Sequence, residues 1–328
     1  MEIRQDDVLG MYELMVKIRQ YEETLRQAYL VGKSPRFDIS FGDVPGEMHL
    51  ASGQEPSAAW VPFHLTKDDT ITAPHRPHHF AIAKGVDLKR MTAEIYGKET
   101  GLSKGKGGHM HLFDPAVKFS CSGIVGAGFP PALGAAMAAK RLGKPWVAIA
   151  VAGEGAANQG TFHESLNLAS LWKLPVVFLI EDNSYAISVT KRASTAIPYN
   201  SDRAAAYGIP GARVADNDPI AMYEVAGEAV ARARRGEGPS LIEIETFRLL
   251  GHFEGDAQAY RPEEEIPSLQ GRDSIQRLRT NLMGRGWLDE ARDQEIRERT
   301  QREIDEAFAF ARESPYPAPE AALEDVFV

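Results

Sequence analysis

Short apolar runs alternate with helical patterns through the middle of the chain, and this alternation constrains the fold most. Trp146–Ala152 is one such run, followed by a glycine turn and a helical pattern that ends near Leu171. A second run spans Pro175–Ile180, and a helix over 214–235 precedes a third strand over 240–250. Uninterrupted apolar strands that alternate with helices are typical of a parallel sheet covered on both faces. The sequence predicts an α/β fold whose ligand site lies at the carboxyl ends of the strands.

The two ends of the chain are predicted to be helical. Residues 1–46 have the pattern of an amphipathic helix followed by an irregular stretch over 31–46. Residues 262–328 form a charged helical extension that ends in a proline-rich arm at Ser314–Pro319. Since we see no linker, residues 1–328 are predicted to form a single domain.

Composition excludes several classes of protein. The 37 Lys and Arg against 46 Asp and Glu give a net charge of −9, which argues against nucleic-acid or anionic-membrane partners. No apolar run approaches the roughly 18 residues of a membrane span. A lone Cys121 rules out an intrachain disulfide framework and points to a reducing compartment, so we expect a cytoplasmic protein.

Polar residues follow two of the predicted strands. Glu154 lies between two glycines at the mouth of a helix, where main-chain N–H groups and the helix dipole favour phosphate. Asn183 ends the next strand, and adjacent parallel strands bring such ends together. Each pattern alone is more typical of an ordinary turn than of a ligand site. Together they predict one Mg²⁺ held by Glu154 and Asn183 that neutralises a diphosphate.

These residues lie within a longer pattern. The runs Gly153–Gly160, Leu171–Phe178 and Asp182–Tyr185 closely resemble the thiamin-diphosphate motif of 2-oxo acid dehydrogenase alpha subunits. Similar blocks, in the family's order, are Gly53-Gln54-Glu55, His75-Arg76-Pro77-His78, Gly105–His111, Gly123–Gly126 and Gly251-His252. Within the family, the histidine of His75-Arg76 and the run Gly251–Asp256 are most similar to the acetoin dehydrogenase branch.

The resemblance implies a role for each matching residue. It implies a thiamin-diphosphate-binding fold and these metal ligands: Glu154, Asn183 and the main-chain carbonyl of Tyr185. It implies these cofactor-binding residues: His75 and Arg76 at the diphosphate, the N–H groups of Gly155 and Ala156, the main chains of Gly123 and Val125 at the aminopyrimidine, and His252. It implies that His78 and His252 are catalytic and face the reacting carbon, where an imidazole can move a proton or stabilise an oxyanion.

The resemblance also implies a reaction and its partners. With thiamin diphosphate and Mg²⁺ as cofactors, such a subunit cleaves a C–C bond next to a carbonyl, in acetoin or a 2-oxo acid, and passes the acyl fragment to a lipoyl carrier. The carboxylate that activates the cofactor comes from a separate beta subunit in this family. We therefore expect an α2β2 heterotetramer, inactive as the isolated alpha chain, that works with a lipoyl-bearing acyltransferase.

The sequence departs from the family pattern at several positions. The metal ligand is usually Asp, so the longer Glu154 is expected to shift the cation site by about an ångström or to weaken it. Asp182 replaces the first of two usual asparagines. His79 and His109 stand where small residues are expected, and both are predicted to crowd the substrate pocket.

Other interpretations remain open at this point. The chain is alternatively a pyruvate or branched-chain 2-oxo acid dehydrogenase alpha subunit, or a non-catalytic assembly subunit if Glu154 prevents metal binding. A zinc hydrolase built on His75, His78 and His79 is a third, although Pro74 and Pro77 disfavour one regular helix through them. The basic loop with Lys104 and Lys106 is either solvated or an anchor at the cofactor entrance. Cys121 is predicted to pack rather than to react.

Overall fold

A computed structural model describes residues 3–33 and 37–325 of the chain. Predictions that touch residues 1–2, 34–36 and 326–328 fall outside these ranges. The helices are α1 Gln5–Leu30, α2 Pro56–Ala59, α3 Val61–His64, α4 His78–Lys84, α5 Leu88–Ile95, α6 Phe129–Arg141, α7 Gly160–Leu171, α8 Lys191–Ser194, α9 Pro219–Arg234, α10 Glu265–Gln270, α11 Ser274–Gly284 and α12 Glu290–Glu313. The strands are β1 Thr70–Ala73, β2 Phe113–Asp114, β3 Phe119–Cys121, β4 Ala148–Gly153, β5 Val176–Asp182, β6 Tyr185–Ala186, β7 Val189–Thr190, β8 Gly211–Val214 and β9 Ser240–Glu245.

Seven of the strands form one sheet in the order β2-β3-β1-β4-β5-β9-β8. Only β2 runs antiparallel to its neighbour, β3, so the sheet is mainly parallel. Strands β4 and β5 lie side by side near the centre, and their register pairs Gly153 with Glu181. The predicted fold class is confirmed. The polar residues that follow β4 and β5 therefore lie close together, at the edge of the sheet formed by the carboxyl ends of these strands.

The sheet is apolar on both faces because each face carries its own core. On β4, Ile149 and Val151 pack into one core, whereas Ala150 and Ala152 pack into the other. Helix α9 contributes to the first core, and helices α6 and α7 contribute to the second. Burying one such aliphatic side chain stabilises the fold by about 1.5–3 kcal/mol. The alternation along β4 therefore shows that both faces of the central sheet are covered.

Several boundaries differ from the sequence prediction. The third strand was predicted over 240–250, but β9 ends at Glu245, and the chain continues as an irregular loop. His252 therefore follows this loop and not the strand itself. The predicted helix after Gly153 begins as a 3₁₀ turn over Glu154–Asn158, and α7 follows it.

The terminal helices lie close to each other. Helix α1 packs against both α11 and α12 through a third core that includes Tyr12 and Ile296. Proline residues 315, 317 and 319 follow α12, and a short 3₁₀ turn spans Pro319–Leu323. Throughout residues 3–33 and 37–325, every helix is too short or too polar to cross a membrane.

Candidate active site

A cavity of about 510 Å³ opens at the carboxyl ends of β4 and β5. Its wall contains all ten residues that the sequence assigned to cofactor or metal: His75, Arg76, Gly123, Val125, Glu154, Gly155, Ala156, Asn183, Tyr185 and His252. They come from five separate segments, so tertiary folding brings them together. The roles assigned to them remain proposals.

Glu154, Asn183 and the main-chain carbonyl of Tyr185, called here the oxygen site, form one side of the cavity. Glu154 is buried, and its Oε2 accepts a hydrogen bond of 3.3 Å from the main-chain N–H of Asn183. Its other oxygen, Oε1, is buried and has no hydrogen-bond partner among residues 3–33 and 37–325. Burial, followed by the nearby charge of Asp182, raises the pKa of Glu154 to about 7. A buried carboxylate oxygen without a partner fits a cation, which would supply the missing interaction.

The turn after β4 is shaped for close approach. A Cβ on Gly155 would lie 2.6 Å from the Cβ of Ala186, so only glycine fits between the 3₁₀ turn and the hairpin of β6 and β7. Across the cavity, Ile124 and Val125 are 69% and 54% exposed. The cavity thus has a polar floor beside Glu154 and an apolar rim.

Arg76 holds two loops together behind the cavity. Its Nη1 donates to the carbonyl of Leu50 and its Nη2 donates to the carbonyl of His252, both at 2.6 Å. Burial, and next the charge of Arg248, lowers its pKa to about 10. Because a guanidinium carries five N–H groups, the two bonds leave donors for an anion in the cavity.

Three histidines, His49, His75 and His252, form what we call the imidazole wall. The ring centroid of His49 lies 4.8 Å from the ring centroid of His75 and 4.9 Å from that of His252. One nitrogen from each ring lies within 4.8 Å of the others. The main chain of His252 is fixed, since its N–H donates to Asp256 at 2.7 Å and its carbonyl accepts from Arg76.

The imidazole wall is electrically neutral near pH 7. Burial, and then the charges of Arg76 and Arg248, lowers the pKa of His252 to about 4. Burial and Arg76 also lower the pKa values of His75 and His49 far below the usual range. A neutral imidazole can donate one hydrogen bond and accept another, or bind a metal.

His78 lies apart from the ten residues of the cavity wall. The resemblance implies that it faces the reacting carbon; in the structure it is fully buried and is not among the residues that line the cavity. Its Nδ1 lies 3.1 Å from a carboxylate oxygen of Glu22 on α1. His78 is the first residue of α4, after Pro77, and its ring lies against Glu22 of α1.

His79 and His109 likewise lie behind the cavity and do not crowd it. His79 Nε2 lies 2.8 Å from Glu181 Oε1, and Glu181 itself lines the cavity. His109 Nε2 lies 3.4 Å from His49 Nδ1. Each of these unusual imidazoles therefore supports a residue of the cavity wall. The zinc set predicted from residues 75, 78 and 79 does not converge.

The remaining sequence candidates have ordinary surroundings. Burial raises the pKa of the Cys121 thiol to about 12, which suits packing and not nucleophilic attack. Lys104 and Lys106 each lie 3.1 Å from the carboxylate of Asp325. The basic loop is thus paired with the C-terminal segment.

The lining residues that were not assigned from the sequence include His49, Gln54 and Glu181. His49 stands between Met48 and Leu50 without a polar motif, so only its position in space reveals it. Gln54 lies in one of the resemblance blocks, and its side-chain nitrogen is buried without a partner. That block was the available signal for Gln54.

Comparison with known proteins settles the family. A family model described as the dehydrogenase E1 component matches residues 38–320. The chain belongs to the dehydrogenase E1 component family. This confirms the resemblance found in the motifs, and E1 components depend on thiamin diphosphate.

Relatives in this family match over nearly the whole chain. The chain is 42% identical to the alpha subunit of an acetoin:2,6-dichlorophenolindophenol oxidoreductase of Bacillus subtilis (strain 168), covering 100% of this chain and 96% of the relative. A protein of the same description from Cupriavidus necator is also 42% identical, covering 98% and 95%. A chloroplastic pyruvate dehydrogenase E1 alpha-3 subunit of Oryza sativa is 36% identical, covering 99% and 76%. These E1 relatives are all alpha subunits.

Proposed function

We propose that the chain is the alpha subunit of an E1 component that cleaves acetoin and passes the acyl fragment to a lipoyl carrier. The observation that supports this most is the convergence of the ten assigned residues on one cavity. The two relatives at 42% identity, whose names include acetoin, support that substrate. A 2-oxo acid such as pyruvate is the second candidate, because the relative at 36% identity is a pyruvate dehydrogenase subunit.

The oxygen site would hold Mg²⁺ against the diphosphate of the cofactor. Glu154 offers a buried oxygen without a partner, and Asn183 offers an amide oxygen whose present donor is the Tyr185 N–H at 3.3 Å. Arg76 and His75 would bind the diphosphate. The N–H groups of Gly155 and Ala156, and the main chains of Gly123 and Val125, would hold the rest of the cofactor.

His252 would act at the reacting carbon. Bound thiamin diphosphate supplies the electron sink for C–C cleavage. With a pKa of about 4, the His252 ring is neutral at pH 7 and would donate a hydrogen bond to developing oxyanion charge. The Arg76 and Asp256 hydrogen bonds to its main chain would keep the ring in place. His78 is left out of this role because of its burial against Glu22.

The proposal includes a beta subunit in an α2β2 heterotetramer and a lipoyl-bearing acyltransferase. The carboxylates that line the inner cavity already have functions: Glu154 faces the cation position, and Glu181 accepts hydrogen bonds from Ser57 and His79. The exposed rim at Ile124 and Val125 offers an apolar contact for a second chain. A cytoplasmic location and a single domain over residues 1–328 stay predictions.

Co-expression with its beta subunit tests the proposal. The purified complex is loaded with thiamin diphosphate and Mg²⁺ and assayed with acetoin, pyruvate and a branched-chain 2-oxo acid, with 2,6-dichlorophenolindophenol as electron acceptor. We expect kcat/KM to be highest for acetoin and the isolated chain to be inactive. A higher kcat/KM for a 2-oxo acid would show that this acid, and not acetoin, is the substrate. Full cofactor loading without activity on any of the three would favour an assembly subunit.

A further inference from the structure

The imidazole wall has the composition of a transition-metal site. We propose that His49, His75 and His252 bind one Zn²⁺ ion, and that this ion and the cofactor exclude each other. The metal site rests on the positions of the three rings. The exclusion rests on the proposed function, because His75 and His252 are also assigned to the cofactor.

The spacing of the rings is close to that of a three-histidine metal site. One nitrogen of each ring lies within 4.8 Å of the other two. Tetrahedral zinc with bonds of about 2.0–2.1 Å needs ligand nitrogens roughly 3.4 Å apart, so on this proposal the rings close by up to about 1.4 Å when the ion binds. Three histidine ligands would leave a fourth position for a water molecule.

His49 is oriented for this role by a residue behind it. Its Nδ1 lies 3.4 Å from His109 Nε2, which leaves His49 Nε2 free for a metal. Histidines that bind metals usually have their second ring nitrogen hydrogen-bonded in this way. His109 was unexplained by the sequence, and this contact gives it a positioning role.

The cavity carries charges of both signs. The carboxylates of Glu47, Glu154 and Glu181 and the guanidinium of Arg76 line it, and the charge of Arg248 acts from outside it. The two guanidinium groups oppose a cation at the imidazole wall, so a bound ion would depend on the three ring nitrogens and on the neighbouring carboxylates. Glu47 is also close to the ligand atoms, since its Oε2 lies 3.9 Å from Nε2 of the nearest ring in the wall.

The two ends of the cavity then select different metals. The oxygen site offers a carboxylate, an amide and a carbonyl, which suit Mg²⁺. Neutral imidazoles suit Zn²⁺, Co²⁺, Ni²⁺ and Cu²⁺, whereas Mg²⁺ binds them poorly. A zinc ion on the imidazole wall would occupy the space through which His252 and His75 reach the cofactor. Zn²⁺ would therefore inhibit by competition with thiamin diphosphate.

Titration of the full chain, free of cofactor, tests the metal site. Zn²⁺ is titrated by calorimetry, and Co²⁺ is added separately because its visible absorption reports tetrahedral nitrogen coordination. We expect one ion per chain. We expect His49→Gln to abolish this binding and His109→Ser to weaken it by about tenfold. The matched control is His163→Gln, which changes a histidine that pairs with Tyr207 outside the cavity.

The outcomes separate the metal site from the proposed function. If His49→Gln does not fold, as judged by circular dichroism, His252→Asn on the loop replaces it in the same titration. Zinc binding that is absent, or that survives these substitutions, would overturn the inference while cofactor binding stays intact. Zinc binding that is lost in the variants, yet is unaffected by saturating Mg²⁺ and thiamin diphosphate, would uphold the metal site and contradict the assigned cofactor position.

Discussion

The oxygen site and the imidazole wall share one cavity, but they are assembled in different ways. Glu154 and Asn183 follow adjacent parallel strands, and the pairing of Gly153 with Glu181 places them together. The residues of the imidazole wall come from three loops: His49 precedes α2, His75 follows β1, and His252 follows β9. Sheet topology thus determines the oxygen site and also places His75 after β1, whereas loop contacts such as the hydrogen bond from Arg76 position His252.

The two regions also differ in charge. The oxygen site carries a buried carboxylate whose ionisation is opposed until a cation arrives. The imidazole wall is neutral because burial and two guanidinium groups oppose its protonation. On the proposed function, the oxygen site binds the charged end of the cofactor together with Arg76 and His75, whereas His252 acts where the bond breaks. Substitutions of Asn183 and of His252 should therefore have separable effects.

The largest effect is expected for His252→Ala in the imidazole wall. Turnover of the loaded complex should fall by roughly two to four powers of ten, the usual contribution of a positioned acid, base or donor. Affinity for thiamin diphosphate should stay within a few-fold. Steady-state rates normalised to bound cofactor measure this, with His163→Ala as the control imidazole. An unchanged turnover rate would show that His252 has no catalytic role.

Asn183→Ala should damage the oxygen site alone. Loss of one metal ligand should weaken Mg²⁺-dependent binding of thiamin diphosphate by about 10- to 100-fold. Zinc affinity at the imidazole wall should change by less than about threefold, because the sites share no ligand. Parallel titrations, one with thiamin diphosphate in the presence of Mg²⁺ and one with Zn²⁺, measure the two affinities. Equal losses in both would show that the regions are not independent.

Glu154→Gln should stabilise the metal-free chain at pH 8. The folded-state pKa is raised from 4.5 to about 7, so the stability of the wild-type chain is full below pH 4.5 and is lost as pH rises through 7. Removing the buried charge should recover about 3 kcal/mol at pH 8 and about 1 kcal/mol at pH 5.5, because each pKa unit corresponds to about 1.4 kcal/mol. Urea unfolding at both pH values checks this, with the exposed Glu164→Gln as control. A gain in the free energy of unfolding that is the same at both pH values would contradict the raised pKa of Glu154.

The smallest effect is expected for Arg76→Lys. A lysine can reach only one of the two carbonyls, of Leu50 and His252, that the guanidinium bridges. Loss of one buried hydrogen bond should lower the free energy of unfolding by about 1–2 kcal/mol. Limited proteolysis should then cut the loop around His252 faster than in the wild-type chain. Unchanged cleavage would show that Arg76 does not hold this loop.

Much of the fold could be predicted from the sequence because its central strands are uninterrupted apolar runs. The runs that became β4 and β5 were found with errors of one or two residues. The third strand was overextended, since Thr246 to Leu250 continue an apolar pattern that the structure uses in a loop. Apolar composition alone does not separate a strand from a buried loop.

Site residues that belong to local sequence motifs could be predicted. Site residues that are brought to the cavity only by tertiary packing could not. Glu154 and Asn183 were placed from strand ends, and the family resemblance added the rest of the assigned set. His49 could not be found, because an isolated histidine between apolar residues gives no pattern. His78 lies in a resemblance block, but sequence order does not show that its ring lies against Glu22 on α1.

The metal dependence of cofactor binding tests the central claim most directly. Thiamin diphosphate is titrated into the wild-type chain by calorimetry, once with Mg²⁺ and once with EDTA. The buried oxygen of Glu154 that lacks a partner predicts one binding site per chain with Mg²⁺ and little binding with EDTA. Equal affinity under the two conditions would contradict the oxygen site as the point where a cation joins the cofactor to the protein.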